Sequence, residues 1–142
     1  MASLPKTKVL IVDDSQTERF WEEKVLKGLG CETFTAGDGT EALKFMFQQE
    51  SVDLIMLDLK MPRMDGHEFL SEIRKNSDFD HVKVIVLSAK TEEEVIPVLA
   101  EGATDYWLKG SSVAVLKSRI RNIVYTIHLE KKLAAFKEII NG

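Results

Sequence analysis

Five side chains able to hold a cation or a phosphate oxygen stand at or near the ends of apolar runs. Asp13 and Asp14 close "KVLIVDD", Asp58 closes "VDLIMLD", Ser88 lies near the end of "VKVIVLSA", and Lys109 closes "DYWLK". Three carboxylates sharing one crevice repel each other and resist ionisation unless a cation sits among them. The cation suited to an all-oxygen, partly hydrated site is Mg²⁺, which takes one or two carboxylates and keeps several waters. A lysine ammonium holds a phosphate oxygen as a point charge, and a serine hydroxyl adds a hydrogen bond. Such a set supports phosphoryl transfer by positioning and charge neutralisation, with a carboxylate as the nucleophile and an aspartyl phosphate as the product.

These residues meet only if the runs that carry them lie side by side. The chain reads as strands and helices in strict alternation. The strands are 8–14, "CETFTAG" (31–37), 52–58, 82–89 and 105–109. Between them, helical spacing places Phe20, Trp21, Val25, Leu26 and Leu29 in a first helix, stopped by Gly28 and Gly30. Ala42, Leu43, Met46 and Phe47 mark a second helix over 39–50, and Phe69, Leu70 and Ile73 a third. "EEEVIPVLAEG" reads as a fourth, and a long last helix begins near Ser112. Near-continuously apolar strands alternating with helices predict an α/β fold, a doubly wound parallel sheet covered on both faces. Loops at the carboxyl ends of its strands then form the ligand crevice, which is where the five residues fall.

Composition agrees with one globular domain. The chain has 142 residues, 44% hydrophobic and 30% charged. No apolar run approaches a membrane span of about 18 residues. "MASLPKTK" lacks an apolar leader core, and the single Cys31 forms no internal disulfide, so a cytoplasmic location is expected. A net charge of -4 argues against direct nucleic-acid binding by this domain. His67, His81 and His128 have no metal-ligand spacing. Cys31 reads as a small buried hydrophobe, Met46, Met56, Met61 and Met64 as core or loop filler, and Trp107 as surface or interface packing.

With these motifs in order, "VLIVDDS", "DLIMLDLKMPRMDG", "VIVLSAK" and "GATDYWLKG", the sequence resembles the receiver domains of two-component response regulators over residues 7 to 125. The resemblance implies a flavodoxin-like, five-stranded sheet of order 2-1-3-4-5. It implies that Asp58 takes a phosphoryl group from a sensor histidine kinase or phosphotransfer protein. Asp14 would bind Mg²⁺ directly, Asp13 chiefly through a metal-bound water, and Lys60 through its main-chain carbonyl. Ser88 and Lys109 would contact the phosphoryl oxygens. Tyr106 matches an aromatic switch position, whose ring turns inward as the Ser88 hydroxyl is drawn to the phosphate. Such a protein assists its own phosphorylation and dephosphorylation and is not a conventional enzyme. One position departs from the family: Lys109 is followed by Gly110 where proline is usual.

Local residues refine this picture. Pro62 lacks an N–H and biases Met61 toward extended geometry, and Gly66 is expected to use positive φ to enter the next helix. Lys60 and Lys90, each two residues beyond an Asp58 or Ser88, flank the approach of a hydrolytic water. A magnesium-dependent phosphatase with an aspartate nucleophile commonly has a second aspartate two residues on, where this chain has Lys60. A dinucleotide or flavin carrier is disfavoured because "GLGCETF" lacks a third glycine and precedes a strand.

The last helix, Ser112 to Ile140, would run roughly 43 Å. Leu116, Ile120, Ile123 and Ile127 are assigned to the domain's own sheet. Leu129, Leu133, Phe136 and Ile140 repeat the spacing with a two-residue offset, which turns the stripe by about 200°. That second stripe is expected to face a partner helix, with Glu130, Lys131, Lys132, Lys137 and Glu138 as solvated flanks. The expected organisation is a receiver over 1–125 and a helical extension over 126–142 that pairs with a second copy and links to an output domain. The alternative is a stand-alone regulator acting by protein binding.

Overall fold

The computed structural model describes residues 6–48 and 51–142; Met1–Pro5, Gln49 and Glu50 lie outside it, including the start read for a leader and the expected end of the second helix. Five strands, β1 (Lys8–Val12), β2 (Glu32–Ala36), β3 (Leu54–Asp58), β4 (Lys83–Ser88) and β5 (Asp105–Leu108), form one parallel sheet of order β2-β1-β3-β4-β5. Around it lie α1 (Gln16–Gly28), α2 (Gly39–Gln48), α3 (Gly66–Lys75) and α6 (Val113–Asn141). The expected doubly wound fold and its strand order are both present.

Alternation along each strand divides the core. Leu10, Val12, Ile55, Leu57, Val84 and Val86 face α2 and α3, where they meet Phe69, Leu70 and Ile73. Val9, Ile11, Leu54, Met56, Ile85 and Leu87 face α1 and α6, where they meet Leu26, Leu116, Ile120 and Ile123. Sheet residues buried on both faces explain why the strands read as unbroken apolar runs. Ser15 starts α1 cleanly, its hydroxyl accepting from the Glu18 N–H at 3.2 Å, and Asp65 caps α3 in the same way.

Several expectations change. The fourth helix is two single turns, α4 (Glu92–Val95) and α5 (Val98–Glu101), because Pro97 between them has no N–H to continue the ladder. Trp107 is buried, with its indole stacked on Trp21 at 6.0 Å and its Nε1–H donated to the Ser112 carbonyl. Phe20 and Phe47, read as part of their helices' apolar patterns, are exposed. Finally, Gly66 has no left-handed φ; Arg63 does, at 63°. Gly66 is required for another reason: a Cβ there would lie 2.6 Å from the Asp58 carbonyl oxygen.

The long α6 is unbroken through all 29 residues. Leu116, Ile120, Ile123 and Ile127 are buried on the sheet, whereas Leu129, Leu133, Phe136 and Ile140 are exposed. Glu130 and Lys131 do not stand free as flanking charges. They reach back to Lys83 and to the buried Asp53, each at 2.8 Å, and tie the middle of the helix to the sheet's amino-terminal end.

Candidate functional site

The carboxyl ends of β1 and β3 are adjacent, since β1 pairs with β3 through Val12↔Leu57. The next residues of each strand therefore deliver Asp13 and Asp58 to one place. Asp13, Asp14 and Asp58 each put a carboxylate oxygen within 4.8 Å of the others. Asp13 is fully buried, Asp58 nearly so, and Asp14 is exposed. One Asp13 oxygen accepts the Ser15 N–H at 2.9 Å, while Oδ2 is buried without a hydrogen-bond partner among the described residues.

Lys109 follows β5 and crosses over β4 to this cluster. Its Nζ lies 3.5 Å from Asp58 Oδ1 and 3.9 Å from Asp13 Oδ2. Gly110 follows with φ +88, so the loop turns away through a left-handed glycine. Asp58 Oδ1 also accepts the Lys60 N–H at 3.3 Å. Ser88 ends β4 beside it, buried, its hydroxyl oxygen accepting the Lys90 N–H at 3.1 Å. Tyr106 is not in the cluster. Its hydroxyl donates to Glu92 at 2.8 Å on the outer surface, and the Arg119 guanidinium sits 5.3 Å from its ring centroid.

Two residues of the site were missed from sequence. Glu18 and Glu22 project from α1 toward Asp13, their carboxylate oxygens and its own all within 4.8 Å. Glu18 Oε2 is 2.6 Å from Lys109 Nζ, closer than either aspartate. Glu22 is buried with Oε2 unpartnered. A signal existed: 22, 25, 26 and 29 share helical spacing, which places Glu22 on the inward face with Val25, Leu26 and Leu29.

Burial and mutual repulsion set the protonation of the cluster. Desolvation raises the Asp13 carboxyl to about 6, with the Asp58 charge adding to it and the Ser15 hydrogen bond opposing. Burial raises Asp58 as well, against the Lys109 charge and the Lys60 N–H. Glu22 is pushed up to about 10 by burial, then by the charge and close approach of Asp13. At Lys109, burial acts to lower the pKa, yet the Glu18 hydrogen bond and the charges of Asp58 and Asp13 outweigh it and the net shift is upward. Its ammonium is therefore permanent at neutral pH. The Lys109 hydrogen bond holds Glu18 below the usual carboxylate range. The arrangement is a deficit of positive charge around a shielded aspartate, with one fixed cation at its side.

Comparison with known proteins agrees with this fold. The family described as the response regulator receiver domain matches residues 9–121. The probable transcriptional regulator ycf27 of Guillardia theta is 42% identical over 120 residues, covering 84% of this chain and 46% of its own. This chain thus spans about half the length of the curated ycf27 relatives it matches. The chemotaxis protein CheY4 of Vibrio cholerae superposes with a TM-score of 0.75 at 32% identity, over 84% of this chain and 99% of that one. The response regulator TrrA of Thermotoga maritima, solved in complex with Mg(2+)-BeF, gives a TM-score of 0.73 at 32% identity, over 82% and 98%.

Proposed function

This chain belongs to the response regulator receiver domain family, a signalling family of two-component systems, and from that premise we propose that Asp58 is its phosphoacceptor. The observation that carries the reading is the meeting of Asp58 with Lys109 at 3.5 Å beside the orphaned Asp13 Oδ2. An Asp58 oxygen forms the O–P bond as the N–P bond of a phosphohistidine donor breaks, and the leaving electron pair stays on the imidazole nitrogen. Lys109 takes a phosphoryl oxygen as an ion pair, and the Ser88 hydroxyl donates to another.

The donor set fits a hard divalent cation: clustered carboxylates, one with a buried oxygen that no donor satisfies among the described residues. Asp13, Asp14, Asp58 and the Lys60 main-chain carbonyl would hold Mg²⁺, which when bound neutralises charge on the transferred group. The partner is a sensor histidine kinase or phosphotransfer protein, the location is the cytoplasm, and the domain is a switch, not a turnover enzyme. Tyr106 is its moving part, leaving Glu92 and turning inward when Ser88 is drawn to the phosphoryl group. Among the described residues no helix is long and apolar enough to cross a membrane. The test is transfer of label from a phosphorylated histidine kinase domain to this chain in Mg²⁺ and its absence in chelator. No transfer, with small phosphodonors also inert, would refute the assignment.

Lifetime of the phosphorylated state is set by access for water. Lys60 and Lys90 are exposed and line, with Leu59 and His67, a cavity of about 370 Å³ at the loop that follows Asp58. Two ammonium groups there obstruct the approach and favour the phosphoryl charge. The Lys60→Ala/Lys90→Ala double variant should lose its phosphate several-fold faster, measured as inorganic phosphate released after donor removal. Equal or slower release counts against this role.

The exposed stripe Leu129, Leu133, Phe136 and Ile140 supports pairing of α6 with the α6 of a second copy. Residues 126–142 then serve as the link between receiver and an output domain, with the stand-alone regulator as the alternative. Sedimentation should show a dimer for the full chain and a monomer for a version ending at Tyr125, with the balance shifted by phosphodonor. Monomers under all of these conditions would leave the dimer without support.

A further inference from the structure

Lys109 has a competing partner. Its Nζ is 2.6 Å from Glu18 Oε2 but 3.5 Å from Asp58 Oδ1, and Glu18 belongs to neither strand end that builds the acceptor cluster. Glu18 sits in the first turn of α1, held there by the Ser15 cap on its own N–H. Its side chain is partly exposed while that of Lys109 is largely covered, so the ion pair lies at the mouth of the site and not in its floor.

We propose that Glu18 is a latch: a positioning residue that competes with Asp58 for the Lys109 ammonium, as the closer partner, until a phosphoryl group displaces it. This rests on the reading of Asp58 as phosphoacceptor. An ammonium neutralised at 2.6 Å offers less attraction to an incoming anion than a free one, and the Glu18 charge itself repels that anion. Phosphorylation therefore exchanges one partner of Lys109 for another. Linkage requires the converse: removing Glu18 strengthens anion binding at Asp58. The released Glu18 carboxylate also changes the charge presented by the mouth of the site, at the cavity lined by Trp21, Trp107 and Val113.

The test is calorimetric binding of beryllofluoride, an anion of phosphoryl shape, at saturating Mg²⁺ and fixed ionic strength. Three proteins are compared: the wild type, Glu18→Gln, and Glu23→Gln. Glu23 is on the same helix, paired with Lys27 at 3.6 Å, and controls for net charge. Glu18→Gln keeps the side-chain shape and lies at the surface of the fold, so all three proteins remain folded. The latch predicts binding about fivefold tighter or more in Glu18→Gln alone. Equal or weaker binding in Glu18→Gln overturns it, as does the same gain in Glu23→Gln, which would reflect overall charge. Failure of the wild type and both variants to bind would instead overturn the acceptor reading on which the latch depends.

Discussion

Asp58→Asn is expected to abolish phosphoryl uptake from a small phosphodonor in Mg²⁺, taking incorporation from one group per chain to none. The substitution is nearly isosteric. The amide oxygen can still accept the Lys60 N–H that Asp58 Oδ1 accepts at 3.3 Å, so the β3 tip and the following loop keep their shape. What disappears is the nucleophilic oxygen, and an amide does not replace it. Intact mass before and after donor treatment reads the result directly. The fold should survive and even gain, because burial already opposes the Asp58 charge and the neutral amide removes one member of a repelling carboxylate cluster. Label that persists in the variant, on Ser88 or on His67, His81 or His128, would move the acceptor elsewhere.

Much of this site was legible because parallel sheets separate their signals. Strands buried on both faces are unbroken apolar runs, so a charged residue at their carboxyl end is conspicuous, as at Asp13 and Asp58. The order of these ends along the chain also told which would be neighbours once the sheet order was known. Helices hide more. Glu18 and Glu22 look like ordinary surface charges on an amphipathic helix, and only the 22-25-26-29 spacing shows that Glu22 lies on the inward side. The reading from Phe20 and Trp21 took size for burial, whereas the sheet face admits Val25 and Leu26 and leaves Phe20 outside. Trp107 failed for the opposite reason. On the last strand, β5, alternation gives one inward aromatic, but only the packing of Trp21 and α6 decides that it is Trp107 and not Tyr106. Pro97 was visible in the sequence; its effect was underrated because the residues on both sides retain helical spacing. Gly66 was assigned the right importance with the wrong cause, since close approach of backbone cannot be read from a single chain segment.

Glu22 leads to the second large effect, on stability. A glutamate ordinarily titrates near 4.5, yet burial, followed by the nearby Asp13 charge, raises Glu22 to about 10. Between those values the native state keeps the proton and the unfolded chain has released it. The native state therefore binds more protons, and stability falls as pH rises through this window. The loss amounts to roughly 1.4 kcal/mol per pH unit for one such group, or about 3 kcal/mol accumulated by neutral pH. Glu22→Gln removes the dependence with almost no change in side-chain size. It should therefore be more stable than the wild type by up to about 3 kcal/mol near pH 7 in chelator, with a gap that widens as pH rises. Asp13, raised to about 6, adds its own slope at lower pH, and because its charge also acts on Glu22 the difference is read above that value, where Asp13 has lost its proton in both proteins. Urea unfolding of the pair, in chelator, between about pH 5 and about pH 8 measures the effect. Parallel curves for the two proteins would show that Glu22 is not the buried acid, and a variant less stable throughout would show that its protonated carboxyl makes a bond the amide cannot. A natural sequence that keeps glutamate here accepts a less stable resting domain in return for a carboxyl group beside Asp13, the trade expected where function and stability compete for one position.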